Sequence, residues 1–174
     1  IKSPWPGVGD SFLGYELVQA LGRGSLARVF LAREEAVGSR LVVVKISRHG
    51  AGEAQMLGKA AHPGIVPILS VTHDDSTGWT VICMPYLGTA TGSDLLKAAF
   101  ADGLAPGSAE IISEVAGRNR PAGVTLERSA QQVPVVWHGP YPDGVARLGL
   151  LLAEGLEAAH GVGVMHRDIK PSNV

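Results

Sequence analysis

The sequence predicts an α+β chain, a mostly antiparallel sheet with one short helix followed by a joint and the start of a helical region. Three observations carry that expectation. The first eighty-odd residues read as short strands separated by turn signals, residues 142–160 carry apolar positions at helical spacing, and no internal repeat or low-complexity run interrupts the chain. With 174 residues, 45% of them hydrophobic and 18% charged, the chain can build a real core and does not have the composition of a disordered tail.

The elements follow in order. Residues 1–14 are a lead-in, and Tyr15-Glu16-Leu17-Val18-Gln19-Ala20-Leu21 alternates as a half-buried strand does. A glycine-containing turn over 22–27 leads to a second strand, Arg28–Ala32, and a turn over 36–40 to a third. That third strand, Leu41-Val42-Val43-Val44-Lys45-Ile46, is β-branched and apolar except for its lysine. A short helix is expected over Glu53–Ala60, with Gly58 inside it costing roughly 1 kcal/mol of helix propensity. Strands at Val66–Val71 and Thr80–Met84 flank a turn over 73–78.

After Tyr86 the character changes. Asp94–Phe100 reads as a helix, and then about forty residues up to Tyr141 hold little periodicity, more than a compact domain leaves without structure. Residues 88–140 are therefore read as a helix plus an insertion or lid. From Pro142, Val145, Leu148, Leu152, Leu156 and Ala159 trace one helix face, which breaks at Gly161-Val162-Gly163.

Composition excludes several classes of function. Fifteen basic against sixteen acidic residues give a net charge of −1, which offers no electrostatic reason to expect nucleic acid or an anionic membrane as partner. One cysteine, Cys83, cannot build a disulfide framework. The longest apolar runs, around 41–46 and 148–153, are too short to cross a bilayer, and the first residues carry no signal-peptide pattern. A soluble segment in a reducing, cytoplasmic setting is expected, with any membrane anchor of the parent outside this chain. The absent initial Met and the stop at Asn173-Val174 read as marks of a fragment.

The chemistry sits in three short segments. Leu21-Gly22-Arg23-Gly24-Ser25-Leu26-Ala27-Arg28-Val29 nearly matches G-x-G-x-x-G-x-V, with Ala27 at the third glycine. Glycines let backbone N–H groups approach phosphate oxygens with no Cβ in the way, although an ordinary hairpin turn has the same look. A dinucleotide-binding turn would need a helix directly after the glycines, and a strand follows instead.

Lys45 places a charge in an apolar strand, which is costly without a partner or a role; a snorkelling edge residue is the plain alternative. Glu53, on the next helix, could pair with it and fix the ammonium for phosphate oxygens. The third segment is His166-Arg167-Asp168-Ile169-Lys170-Pro171-Ser172-Asn173. Here Asp168 could accept a hydroxyl proton, Lys170 could neutralise charge on a transferring phosphate, and Asn173 could coordinate Mg2+. His62, His73, His138 and His160 are read as structural.

Taken together, the glycine turn, the strand lysine, the helix glutamate and the His-Arg-Asp segment resemble the protein kinase family, in that family's order. The resemblance runs from about Tyr15 to Val174 apart from the insertion, and is nearest to the eukaryotic-like serine/threonine kinases of bacteria, Lys170 favouring Ser/Thr over Tyr specificity. It implies a protein-kinase-like fold: an antiparallel β N-lobe with hinge over 15–87, a helix and family-specific insertion over 88–140, and over 141–174 the first helices of an α-rich C-lobe, incomplete.

The resemblance also implies ATP and Mg2+ as cofactors and protein Ser/Thr hydroxyls as substrates. Matched motif to motif, Lys45 would hold ATP phosphates with Glu53 as its partner, Asp168 would be the catalytic base with Lys170 beside it, and Asn173 would bind Mg2+. Gly22–Ala27 would cover the phosphates, with Leu21 also binding the cofactor, and Val29 with Val43 or Val44 would bracket the adenine. Met84, Pro85 and Leu87 would form the hinge, where the Pro85 carbonyl supplies the acceptor that the adenine amino group needs.

Departures from the pattern carry expectations too. Only seven residues separate Lys45 from Glu53, so the first part of the family's regulatory helix is expected to be absent. The Asp-Phe-Gly metal site and activation segment would follow Val174, so the chain by itself is expected to transfer phosphate poorly, with the apolar face of the 142–160 helix left partly bare. Arg167 suggests control by activation-segment phosphorylation. A pseudokinase scaffold and a small-molecule phosphotransferase of related fold are the alternatives.

Overall fold

A computed structural model describes residues 5–48, 51–118 and 137–174. These fall into two compact units. The first takes in Ile1–Ala61 and Val66–Tyr86, the second His62–Ile65 and Leu87–Val174.

The first unit is built on a six-stranded antiparallel sheet in the order β1-β2-β3-β4-β6-β5. The strands are β1 (Ser11–Phe12), β2 (Tyr15–Arg23), β3 (Ala27–Glu34), β4 (Arg40–Ser47), β5 (Ser70–Asp74) and β6 (Trp79–Pro85). Alternation along the strands sends one set of side chains to the core: Tyr15, Leu17, Phe30, Ala32, Val42, Val44, Ile46, Trp79, Val81 and Cys83. Two register shifts in the β2–β3 ladder leave Val18 and Leu21 as extra residues on β2, bulges that add twist just ahead of the glycine turn. The β3–β4 connection is a short 3-10 turn, Glu35–Val37, closed by Gly38 and Ser39 at φ 60° and 57°.

Two elements of this unit differ from the expectation. The helix α1 spans Ala51–Leu57 and ends just before Gly58, so the glycine stands outside it. The strand expected at 66–71 lies at 70–74. Residues 66–69 precede it irregularly, with only the Leu69 N–H donating to the Cys83 carbonyl at 2.8 Å. Prolines 63 and 67 with Gly64 explain the delay, since a proline has no N–H to give a ladder.

The second unit holds α2 (Gly92–Ala99), α3 (Glu110–Arg118) and α4 (Tyr141–Gly161). α2 begins two residues earlier than expected because Thr91 and Asp94 form a capping box, the Thr91 hydroxyl accepting from the Asp94 N–H and the Asp94 carboxylate accepting from the Thr91 N–H. α3 is a correction, for it lies in the stretch between Phe100 and Tyr141 expected to hold little periodicity. Residues 119–136 of that stretch lie outside the described residues.

Leu95, Ile112 and Val115 make the core of this unit, with Trp137 and Leu148 packed against them. α4 meets α3 at a glycine, for a Cβ on Gly144 would stand 3.1 Å from the Ile112 Cδ1 and 2.5 Å from the Cβ of Ala109 just ahead of α3. Of the predicted apolar face of α4, Ala159 is buried, Leu148, Leu152 and Leu156 are half-buried and Val145 is exposed. Among the described residues, no helix is long and apolar enough to cross a membrane.

Candidate functional site

In the first unit, strand register gathers the predicted residues on the face opposite the core. Gly22 pairs with Val29, Val29 with Lys45, and Lys45 with Ile82, giving one row across β2, β3, β4 and β6. The next row runs Leu31, Val43, Met84. Directly paired residues point to the same side of a sheet, so Val29, Val43, Lys45 and Met84 share one face. Lys45 is exposed on it, while Val29, Val43 and Met84 are half-buried.

Val44 is buried in the core on the other side. Of the two valines offered as adenine contacts, it is therefore Val43 that stands beside Lys45. Leu31 and Ile82 complete this apolar face and were not singled out from the sequence. Parity counted from Lys45 would have found Val43, but only register finds residues on other strands.

The β2–β3 hairpin is closed by the Gly24 N–H, which donates to the Ala27 carbonyl at 2.9 Å, and its tip residue Leu26 is exposed. Neither Gly22 nor Gly24 has a positive φ, and a Cβ on either would meet only ordinary contacts, 3.8 Å to the Val29 Cβ and 3.5 Å to the Ala27 oxygen. The fold thus does not require glycine at either position. Gly22 lies in β2, where glycine costs roughly 0.5–1 kcal/mol relative to alanine, and Gly24 lies in the turn just beyond it. Lys45 faces the same side as this hairpin's Val29. Glu53 lies on α1, but its side chain, and with it the expected Lys45–Glu53 pair, is outside the described residues. Met84 and Pro85 end β6, whereas Leu87 belongs to the second unit.

In the second unit, Asp168, Lys170 and Asn173 come together. The Lys170 Nζ lies 2.8 Å from the Asp168 Oδ2, and the Asn173 Nδ2 donates to both the Asp168 Oδ2 and its backbone oxygen at 2.9 Å. The Lys170 ammonium, helped by the Asn173 amide and opposed by some desolvation, holds the Asp168 carboxyl below the usual carboxylate range. The group is therefore an ionised acceptor near neutral pH, exposed to solvent at 60%.

Backbone geometry sets up this cluster. Arg167 takes φ 61°, a left-handed conformation that a non-glycine residue adopts at a cost, and the Asp168 N–H donates to the His166 Nδ1 at 3.4 Å. The turn Pro171–Asn173 is tied to the start of α2, with the Gly92 N–H donating to the Val174 carbonyl at 2.7 Å. A Cβ on Gly92 would stand 2.9 Å from the Pro171 oxygen. Gly92 thus supports the loop from the start of α2, where the Thr91–Asp94 cap holds it, and the one signal in the sequence is that T-x-x-D cap pattern.

The four histidines read as structural have plain surroundings. The His62 Nδ1 accepts from the Gly64 N–H, His73 bonds the Thr80 hydroxyl, His138 lies 3.4 Å from Glu110 and His160 is exposed in the last turn of α4. Among the described residues no group of three or more His, Cys, Asp or Glu side chains could hold a metal ion. The donor set near Asp168 fits a hard cation only as a partial site. Asn173 brings an amide oxygen and Asp168 a carboxylate, and Mg2+ ordinarily takes one or two such protein oxygens with the rest from phosphates and water.

Comparisons with known proteins bear on the fold and its relatives. The chain is 28% identical over 170 residues to the serine/threonine-protein kinase PknD of Chlamydia muridarum, an alignment covering 92% of this chain and 15% of that protein. It is 27% identical over 172 residues to the probable serine/threonine-protein kinase CE0033 of Corynebacterium efficiens, covering 92% and 20%. Its fold matches the PknI kinase domain of Mycobacterium tuberculosis with a TM-score of 0.58 at 21% identity, over 98% of this chain and 58% of that one. No family model matches the chain. The chain thus spans about 15–20% of the length of these curated relatives. In sequence it is a relative of bacterial serine/threonine protein kinases, and it has the fold of the N-terminal region of a kinase domain.

Proposed function

We propose that this chain is the nucleotide-binding and hydroxyl-activating part of a protein serine/threonine kinase, using ATP and Mg2+ to phosphorylate Ser and Thr hydroxyls of protein substrates. The observation that carries the reading is the Asp168–Lys170–Asn173 cluster, an ionised carboxylate with a cation on one oxygen and an amide fixing its direction. ATP would supply the transferable γ-phosphoryl group and Mg2+ the countercharge for it.

The chain's own residues have distinct tasks under this reading. Gly22 and Gly24 let the hairpin backbone approach phosphate oxygens, and Lys45 offers a point charge on the same sheet face. Val29, Val43 and Met84 give an apolar surface for the adenine, and Pro85 and Leu87 its polar edge contacts. Asp168 accepts the substrate hydroxyl's proton, or aligns that hydroxyl for attack, and Lys170 compensates charge on the phosphoryl group in transfer. Asn173 is the candidate oxygen ligand for the metal. The Lys45–Glu53 pairing belongs to the same proposal.

The test uses the whole protein that carries this chain. Asp168→Ala is expected to lower kcat by at least the roughly 10²–10⁴-fold typical of a general base, with ATP affinity and thermal midpoint little changed. Near-normal turnover by that variant would remove the assignment.

A further inference from the structure

Residues ahead of β1 make a set of contacts that the proposed function does not use. Trp5 packs at a tilt of 57° against Trp79, their ring centroids 4.5 Å apart, and Trp79 is fully buried in the sheet core. The Arg28 guanidinium lies over the other ring of the pair, 4.9 Å from the Trp5 centroid, and Arg28 Nη1 donates to the Pro6 carbonyl at 3.2 Å. Arg48 covers Trp79 at 3.9 Å, completing an Arg-Trp-Trp-Arg arrangement. The segment then runs on to pair with β2, the Gly9 N–H donating to the Leu17 carbonyl at 2.8 Å and the Leu17 N–H to the Asp10 carbonyl at 2.9 Å.

The position of Arg28 gives these contacts their meaning. It follows Ala27 at the base of the glycine hairpin and precedes Val29 of the Lys45 row. Its register partner on β4 is Ile46, a core residue, so Arg28 leaves the sheet on the face away from Lys45. Its partner on β2 is Arg23, and like charges directly opposed on a hairpin push the strands apart. The Trp5 ring and the Pro6 carbonyl offset that repulsion on the Arg28 side, since a guanidinium over an indole face is attracted to it and a carbonyl accepts from it.

We infer that Trp5 and Pro6 form a strap behind the sheet that positions the glycine hairpin through Arg28, so that nucleotide affinity depends on residues that do not touch the nucleotide. The inference rests on reading the hairpin as the phosphate cradle. The tip itself is held by one backbone hydrogen bond between Gly24 and Ala27 and carries an exposed Leu26, so its order has to come from its base. A loop ordered in advance gives up less conformational freedom when its ligand arrives. Arg28 is thus a positioning residue.

The experiment is run on the whole protein with Trp5→Ala and Arg28→Gln, and with Trp5→Phe and Arg28→Lys as conservative partners. Three quantities are read: the split between KM for ATP and kcat, the thermal midpoint, and amide hydrogen exchange over residues 22–28. The expected result is a KM for ATP raised roughly fivefold with kcat little changed, the size of effect that loss of one cation–π contact supports. Exchange should quicken within the hairpin, and Trp5→Phe and Arg28→Lys should recover most of both. A lowered thermal midpoint with unchanged KM and unchanged hairpin exchange would make the strap merely structural and overturn the inference. If the unaltered protein transfers no phosphate, the proposed function fails, and hairpin exchange then decides the strap by itself: faster in Trp5→Ala supports it, unchanged refutes it.

Discussion

The Asn173 side-chain amide donates to Asp168 twice, once to the backbone carbonyl and once to Oδ2, each at 2.9 Å. Six residues of chain, 168–173, are thereby closed into a loop whose carboxylate has a set direction. The second holder of that carboxylate is Lys170, which is the larger cause of its lowered pKa, while Asn173 adds to that lowering and ties Oδ2 to the Asp168 backbone.

That division predicts a pH response. The Asp168 carboxyl lies below its ordinary range, so the stability it contributes is present above that range and lost as pH falls through the folded-state value. Because the pair is exposed, the effect on global stability is small. Lys170→Met removes the largest cause, and the Asp168 titration midpoint, followed by carboxyl carbon chemical shift, should move up toward that of an ordinary aspartate. An unmoved midpoint would mean that Lys170 does not set it.

Under the proposed function, the hairpin glycines matter to the ligand and not to the fold. Because the backbone at Gly22 and Gly24 is ordinary and has room for a Cβ, Gly22→Ala and Gly24→Ala should leave stability unchanged or raise it by about 0.5–1 kcal/mol. ATP affinity should fall in the same variants. Thermal melts beside nucleotide titrations check both halves. A loss of stability would mean that the fold itself needs these glycines.

Gly92 should behave in the opposite way. Its Cβ would meet backbone, the Pro171 oxygen at 2.9 Å and Cα at 3.3 Å, which cannot swing aside as a side chain does. Gly92→Ala should destabilise by roughly 1–3 kcal/mol despite alanine's better helix propensity, and should speed amide exchange over 168–174. Denaturant unfolding and exchange measured together test this. A variant as stable as the parent with a protected loop would show that the contact relaxes freely.

Much of this chain is written locally. The alternation of β2, the apolar run of β4 around Lys45, the helical spacing before Gly161 and the spacing of Asp168, Lys170 and Asn173 are all properties of neighbours in sequence, and each could be read without a partner. The last three come together because a turn of two to five residues leaves few alternatives. The sequence by itself determined which residue types were available, and which strands and loop would carry them.

Tertiary structure decided the rest. Strand alternation alone puts Val43 on the side of Lys45, but the row Gly22–Val29–Lys45 exists only through cross-strand register. Register is a non-local choice, set by two bulges in β2 and by which face finds a core. α3 shows little periodicity because, among its described residues, Ile112 and Val115 are the buried apolar positions, too few to stand out until Leu95 and Leu148 pack on them. The Trp5–Arg28 contact spans twenty-odd residues and has no local signature at all. Short-range spacing fixes chemistry, whereas pairing between distant segments fixes where that chemistry points.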